Sequence, residues 1–135
     1  MQIKPKKVMI IDDNEIDLKI NSKIIELNQI FEDIMVCHSG QEALDYFQKY
    51  LNEPDALPDF ILLDIQMPEM NGFEFLDKFA MLSKKIRGKC QIAMLSSTLD
   101  FGDIKKAEAN IYVLKLLKKP LQPQELRNLL NPKLN

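Results

Sequence analysis

With 135 residues, 46% of them hydrophobic and 28% charged, the chain can bury a core of its own as one domain without disulfide or metal staples. A formal net charge of −2 and only two cysteines, Cys37 and Cys90, argue against a broadly basic nucleic-acid binder and against a disulfide-built scaffold. No apolar run reaches bilayer-spanning length, and the run after Lys7 stops at two aspartates instead of continuing as a signal peptide. The expectation is a cytoplasmic protein with reduced, buried thiols and no membrane insertion. Charge is uneven along the chain: residues 1–70 carry 14 acidic against 6 basic side chains, and residues 71–135 carry 6 against 12. The imbalance reads as an acidic pocket drawn from the first half.

In chain order, strands and helices alternate five times. Lys7–Ile11 is a predicted strand, followed by a helix from near Asn14 in which Ile16, Ile20, Ile24 and Leu27 stack at helical spacing. Asp13 or Asn14 can cap its free amides. Ile34–Cys37 is a second strand, and Gly40–Tyr50 a second helix with Ala43, Leu44, Phe47 and Leu51 inward. Leu51–Asp59, with Pro54 and Pro58, is a long loop. Phe60–Leu63 is apolar on both faces and therefore a central strand. A turn-rich segment, Met67–Gly72, leads to a third helix over Phe73–Leu82. The cluster Lys84, Lys85, Arg87 and Lys89 reads as a solvated loop. Gln91–Leu95 is strand four, Asp100–Asn110 a fourth helix, Val113–Leu117 strand five and Pro123–Leu130 a last helix with proline in its first turn. The fold class is α/β: a doubly wound, five-stranded parallel sheet in a (βα)5 layout, with helices on both faces.

Three charged signals follow apolar strands directly: Asp12 and Asp13, Asp64, and Lys119. Strand C-termini share one edge of a parallel sheet, where open α/β sheets place their ligands. Adjacent carboxylates at a buried strand end repel one another unless a cation joins them. Oxygen-only donors suit Mg2+, which binds through one or two carboxylates plus a phosphate. The plainer reading, helix capping, accounts for one aspartate and leaves the other beside a third acid. Asp64 ends the most buried strand and is the candidate nucleophile, since a carboxylate attacking phosphorus gives an acyl phosphate. Lys119 would offset charge on the transferred oxygens, and Pro120 behind it biases it toward extended backbone. Ser96 and Ser97 end strand four on the same edge, where one hydroxyl could donate to a phosphoryl oxygen. As the only histidine, His38 cannot build a histidine-based catalytic or zinc site.

These residues match a family. The chain resembles the receiver domain of two-component response regulators, of the single-domain CheY-like type, over about residues 6–131. The resemblance rests on Ile11-Asp12-Asp13, Ser39-Gly40-Gln41-Glu42-Ala43-Leu44, Asp59 through Pro68, Met70-Asn71-Gly72, Leu95-Ser96-Ser97 and Lys119-Pro120. It implies sheet order 2-1-3-4-5 and one receiver domain over residues 1–135 with no output domain. It also implies that Asp64 accepts a phosphoryl group from a phosphohistidine on a sensor histidine kinase or histidine phosphotransfer protein. Asp13, Asp64 and the backbone carbonyl of Gln66 would then ligate Mg2+ directly, with Asp12 acting mostly through water. Ser96 and Lys119 would engage the phosphoryl group, while Gln66 and Thr98 occupy positions that tune its lifetime. The altered surface would be read by a downstream protein, with no nucleic-acid partner, and the only chemistry would be self-phosphorylation and self-dephosphorylation rather than enzymatic turnover.

Leu116 stands where many receivers carry an aromatic residue that turns inward on activation; Phe101 or Tyr112 could stand in, although both read more simply as packing residues. Two other readings compete. A phosphorylation-independent interaction module would have lost the acids or the lysine, which are all present. A haloacid-dehalogenase-type phosphohydrolase would carry a second aspartate two residues after the nucleophile, where this chain has Gln66.

Overall fold

The computed structural model describes residues 6–130. The expected end of the core, residue 131, falls just outside them. Five parallel strands, β1 (Lys7–Ile11), β2 (Asp33–Cys37), β3 (Phe60–Asp64), β4 (Gln91–Ser96) and β5 (Val113–Lys118), form one sheet in the order β2-β1-β3-β4-β5. The order matches the sequence expectation, and each strand begins or ends within a residue of its predicted limits. The chain reverses its direction of travel across the sheet between β1 and β3, which opens a crevice at their C-terminal ends.

Period-two alternation in these strands builds two cores. Val8, Ile10, Phe60, Leu62, Ala93 and Leu95 face one side, where they pack with residues of α1 (Glu15–Leu27) and α6 (Pro123–Leu130). Met9, Ile11, Ile61, Leu63, Ile92 and Met94 face the other, against α2 (Gly40–Lys49), α3 (Gly72–Phe79), α4 (Lys84–Lys89) and α5 (Phe101–Ala109). All five residues of β3 are buried, as expected for a strand covered on both faces.

Helix α1 overturns one expectation. Its buried residues are Leu18, Asn21 and Ile25, while Ile16, Ile20 and Leu27 lie on the surface. At about 100° per residue, the isoleucine stripe and the Leu18–Ile25 stripe occupy nearly opposite faces. The sheet takes the second because Asn21 belongs there: its Oδ1 accepts the Leu121 backbone N–H at 3.2 Å. Only Ile24, at the margin, packs against the core.

The segment after β3 differs too. The expected helix Phe73–Leu82 ends at Phe79, and the basic stretch read as a loop is the short helix α4. Buried Ile86 docks it, Arg87 donates to the Leu82 carbonyl at 2.8 Å, and Lys89 pairs with Asp59 at 2.7 Å. A six-residue helix with one buried apolar anchor leaves no periodicity to read. Cys90 caps α4 one residue before β4, and its thiol donates to the Pro58 carbonyl at 3.1 Å. Burial pushes both thiols up to about 12, so they are inert core residues. The proline-rich loop is tied down by a 3-10 turn over Pro54–Ala56 and by Tyr46, whose hydroxyl donates to the Ala56 carbonyl at 2.7 Å.

Candidate functional site

The site lies at the C-terminal ends of β1, β3, β4 and β5. Asp12 leaves β1 and is fully buried; its backbone N–H donates to the Cys37 carbonyl, and its Oδ1 accepts the Asn14 N–H at 2.9 Å. Asp13, next in sequence, is exposed at the rim. Asn14 caps α1 by accepting the Asp17 N–H at 3.0 Å, so capping is done by Asn14 and both aspartates remain for other work. Asp64 is the last residue of β3 and is 5% exposed.

Asp12, Asp13 and Asp64 each offer a carboxylate oxygen within 4.8 Å of the others. This all-oxygen set suits a small hard cation. A further observation supports that fit: the buried Asp12 Oδ2 has no donor within hydrogen-bond reach other than the Lys119 ammonium. Lys119 enters from the turn after β5, where its N–H donates to the Ser96 carbonyl at 2.8 Å and its peptide bond to Pro120 is cis. Its Nζ lies 2.8 Å from Asp12 Oδ2, 2.9 Å from Asp17 Oδ2 and 3.0 Å from Asp64 Oδ1. Ser96, buried at the end of β4, accepts the Thr98 N–H on its Oγ at 3.2 Å.

The electrostatics follow from burial. Desolvation pushes the Asp64 carboxyl up to about 6; the Lys119 ammonium opposes the shift, and the charges of Asp12 and Asp13 add to it. Burial alone would lower the Lys119 pKa, but the carboxylates of Asp12, Asp17 and Asp64 outweigh it and hold the ammonium above its ordinary range. With all three ionised, Asp12, Asp13 and Asp64 beside Lys119 carry a net charge of −2, which one divalent cation would balance.

The loop after Asp64 is shaped for close approach. Ile65 N–H donates to the Leu95 carbonyl, and Gly72 N–H returns to the Ile65 carbonyl at 2.8 Å, which frames Gln66 at the exposed rim. A Cβ at Gly72 would stand 2.7 Å from the Asp64 carbonyl oxygen and 2.8 Å from Met94 Cε. Glu69 takes a left-handed backbone, φ 67°. An open cavity of about 510 Å3, lined by Gln66, Pro68, Asn71, Phe73 and Lys106 among others, adjoins this loop.

The structure therefore brings Asp12, Asp13, Asp64, Ser96 and Lys119 to one sheet edge, with Gln66 beside them. Sequence reasoning missed Asp17. It sits in the first turn of the helix that follows Asp12 and Asp13, where an acid has the ordinary reading of favouring the helix dipole. On the far side of β5, half-buried Leu116 lines a groove with Leu99, Ile104 and Val113. Tyr112 packs edge-on against Phe79, and Phe101 is exposed beneath Lys105. Tyr112 is thus a packing residue of the core, as expected, whereas Phe101 lies on the surface.

A parallel α/β sheet with an acidic cup at its switch point defines a phosphoryl- or cation-handling module. The response regulator receiver domain model matches residues 8–131, and the chain belongs to that family, whose members act in two-component signalling. The chain is similar to the polar-differentiation response regulator DivK of Brucella anthropi, 41% identical over 70 residues, which are 52% of this chain and 50% of that protein. The chain spans about half the length of the curated relatives it matches. Among solved structures, a two-component response regulator from Cytophaga hutchinsonii is 34% identical with a TM-score of 0.89, over 98% of this chain and 99% of that one. A receiver protein from Dyadobacter fermentans is 37% identical with a TM-score of 0.84, over 94% and 96%. No helix among the described residues is long and apolar enough to cross a membrane.

Proposed function

We propose that the chain works as a single receiver unit in which Asp64 accepts a phosphoryl group from a phosphohistidine on a sensor histidine kinase or histidine phosphotransfer protein. The observation that carries this reading is the buried Asp64 carboxylate, within 4.8 Å of Asp12 and Asp13 oxygens and 3.0 Å from the Lys119 ammonium. Few other chemistries use three acids, a lysine and a hydroxyl at a strand edge. An Asp64 oxygen attacks phosphorus, the P–N bond to the imidazole breaks, and the imidazole leaves with a proton. Burial pushes the carboxyl up to about 6 in the metal-free site, and a bound cation would favour the ionised form that attacks.

Asp12, Asp13, Asp64 and the Gln66 backbone carbonyl would hold Mg2+, which when bound neutralises the acids and the charge on the transferred oxygens. Lys119 pairs with the phosphoryl group, and the Ser96 hydroxyl turns from the Thr98 amide to donate to it. Hydrolysis of the acyl phosphate resets the domain. These are self-modification steps, not turnover of a substrate.

The new charge, about −1.5 to −2, shifts an equilibrium between two surface shapes, and a protein partner in the cytoplasm reads the change. On α1, the helix that follows Asp12 and Asp13, exposed Ile16 and Ile20 offer a protein donor an apolar face.

Acetyl phosphate with Mg2+ tests the reading by intact mass. The unaltered protein should gain one phosphoryl group and Asp64→Asn none. Labelling that survives in Asp64→Asn would refute the assignment of the acceptor. Undiminished partner docking by that variant would favour a phosphorylation-independent module, and sustained hydrolysis of phosphomonoesters would favour a phosphohydrolase.

A further inference from the structure

Lys119 has more partners than the proposed chemistry needs. Of its three carboxylates, Asp12 and Asp64 are also the oxygens expected to hold a divalent ion. Asp17 stands outside that acidic triad. Its contact with Nζ, at 2.9 Å, is as close as those of Asp12 at 2.8 Å and Asp64 at 3.0 Å. Asp17 is held for this contact. Its backbone N–H is anchored to the Asn14 cap, and its side chain is about one-third exposed at the rim.

A divalent cation entering the cup and the Lys119 ammonium would compete for the same two carboxylates, and at contact distance two cations repel. Lys119 must give way without leaving, because the phosphoryl group will need it.

We propose that Asp17 is a positioning residue that holds the Lys119 ammonium at the edge of the cup while a divalent cation occupies Asp12, Asp13 and Asp64. The inference rests on the reading of the site given above. Asp17 offers Lys119 a partner that does not ligate the metal, so metal entry leaves no buried ammonium unpaired. The same carboxylate keeps Nζ within a short swing of the Asp64 oxygens. A merely structural role is the alternative: an acid in the first turn of α1 favours the helix dipole. That role predicts a loss of stability with no special effect on metal binding.

Mg2+ affinity, measured by calorimetry or amide NMR titration, separates the two. Asp17→Asn should weaken Mg2+ binding by about tenfold, the scale of one lost charge-assisted hydrogen bond. Asp17→Glu should restore most of it. Glu15→Gln removes the same charge from the same turn without touching Lys119 and should change affinity by less than about twofold. In a Lys119→Met background, Asp17→Asn should then do no more than Glu15→Gln does, because the residue it acts through is gone. Equal effects of Asp17→Asn and Glu15→Gln would overturn the inference while leaving the metal site intact, as would an undiminished Asp17→Asn effect without the lysine. Failure of the unaltered protein to bind Mg2+ would overturn the metal site itself, and the inference with it. Should Lys119→Met not fold, the comparison of the three single variants decides alone.

Discussion

Asp64 shows how a single side chain can be destabilising where it sits and still be required there. Its carboxyl titrates near 6, against 3.8 for an unperturbed aspartate. A folded-state pKa above the unfolded one contributes stability that is complete below about pH 4 and lost as pH rises through 6. At pH 7.5 without metal the ionised group therefore works against folding. Asp64→Asn should raise the stability of the metal-free protein by about 1–2 kcal/mol at that pH, with the gain fading toward pH 4. Urea unfolding at the two pH values reads this directly; a variant less stable than the parent at pH 7.5 would mean that the Lys119 contact dominates burial. Asp64 was legible from sequence because it ends an unbroken apolar run. Asp17 was not, since a carboxylate in the first turn of a helix has an ordinary explanation and only the fold reveals the lysine 102 residues away.

Helix α1 carries the clearest case in which local pattern and tertiary packing disagree. Four apolar residues at helical spacing marked a face, and the sheet buried a different one. If the observed face is right, Ile20→Ser should change stability by less than about 0.5 kcal/mol, whereas Ile25→Ala should cost about 2–4 kcal/mol. The reverse ranking in chemical denaturation would restore the sequence reading. The turn leading into α3 makes a second demand. Backbone and a methionine methyl crowd Gly72 at 2.7–2.8 Å, and the Asp64 carbonyl among them cannot move without moving the acceptor. Gly72→Ala should cost about 1–3 kcal/mol and slow phosphorylation of Asp64 by acetyl phosphate. A destabilised variant with unchanged labelling would show that the turn supports the fold alone.

At the scale of the whole molecule, four strand ends converge on one cup of net negative charge, so the fold and its cation should be linked. Three acids with one lysine leave the native state with unbalanced negative charge that the unfolded chain disperses. A cation that binds only the folded protein stabilises it by mass action, about 2.7 kcal/mol at a hundred times its dissociation constant. Saturating Mg2+ should raise the melting temperature by several degrees, about 2–4 °C per kcal/mol in a domain of this size. Asp13→Asn should remove most of that rise. An Mg2+-dependent rise that survives in Asp13→Asn would locate the ion elsewhere.

The strand limits, the burial of β3 and the gathering of Asp12, Asp13, Asp64, Ser96 and Lys119 at one edge were determined by the amino-acid sequence read alone, and the sheet order followed from the family its motifs resemble. Strands buried on both faces are written as continuous apolar runs, and charges at the ends of such runs have one edge to occupy. Tertiary structure decided which face of α1 turned inward, that the basic stretch after α3 folded into a helix whose Lys89 clasps Asp59 and whose Arg87 donates to the Tyr112 hydroxyl, and that Asp17 reached Lys119. Each of those outcomes depends on a partner brought from a distant part of the chain, and short-range periodicity carries no record of such a partner.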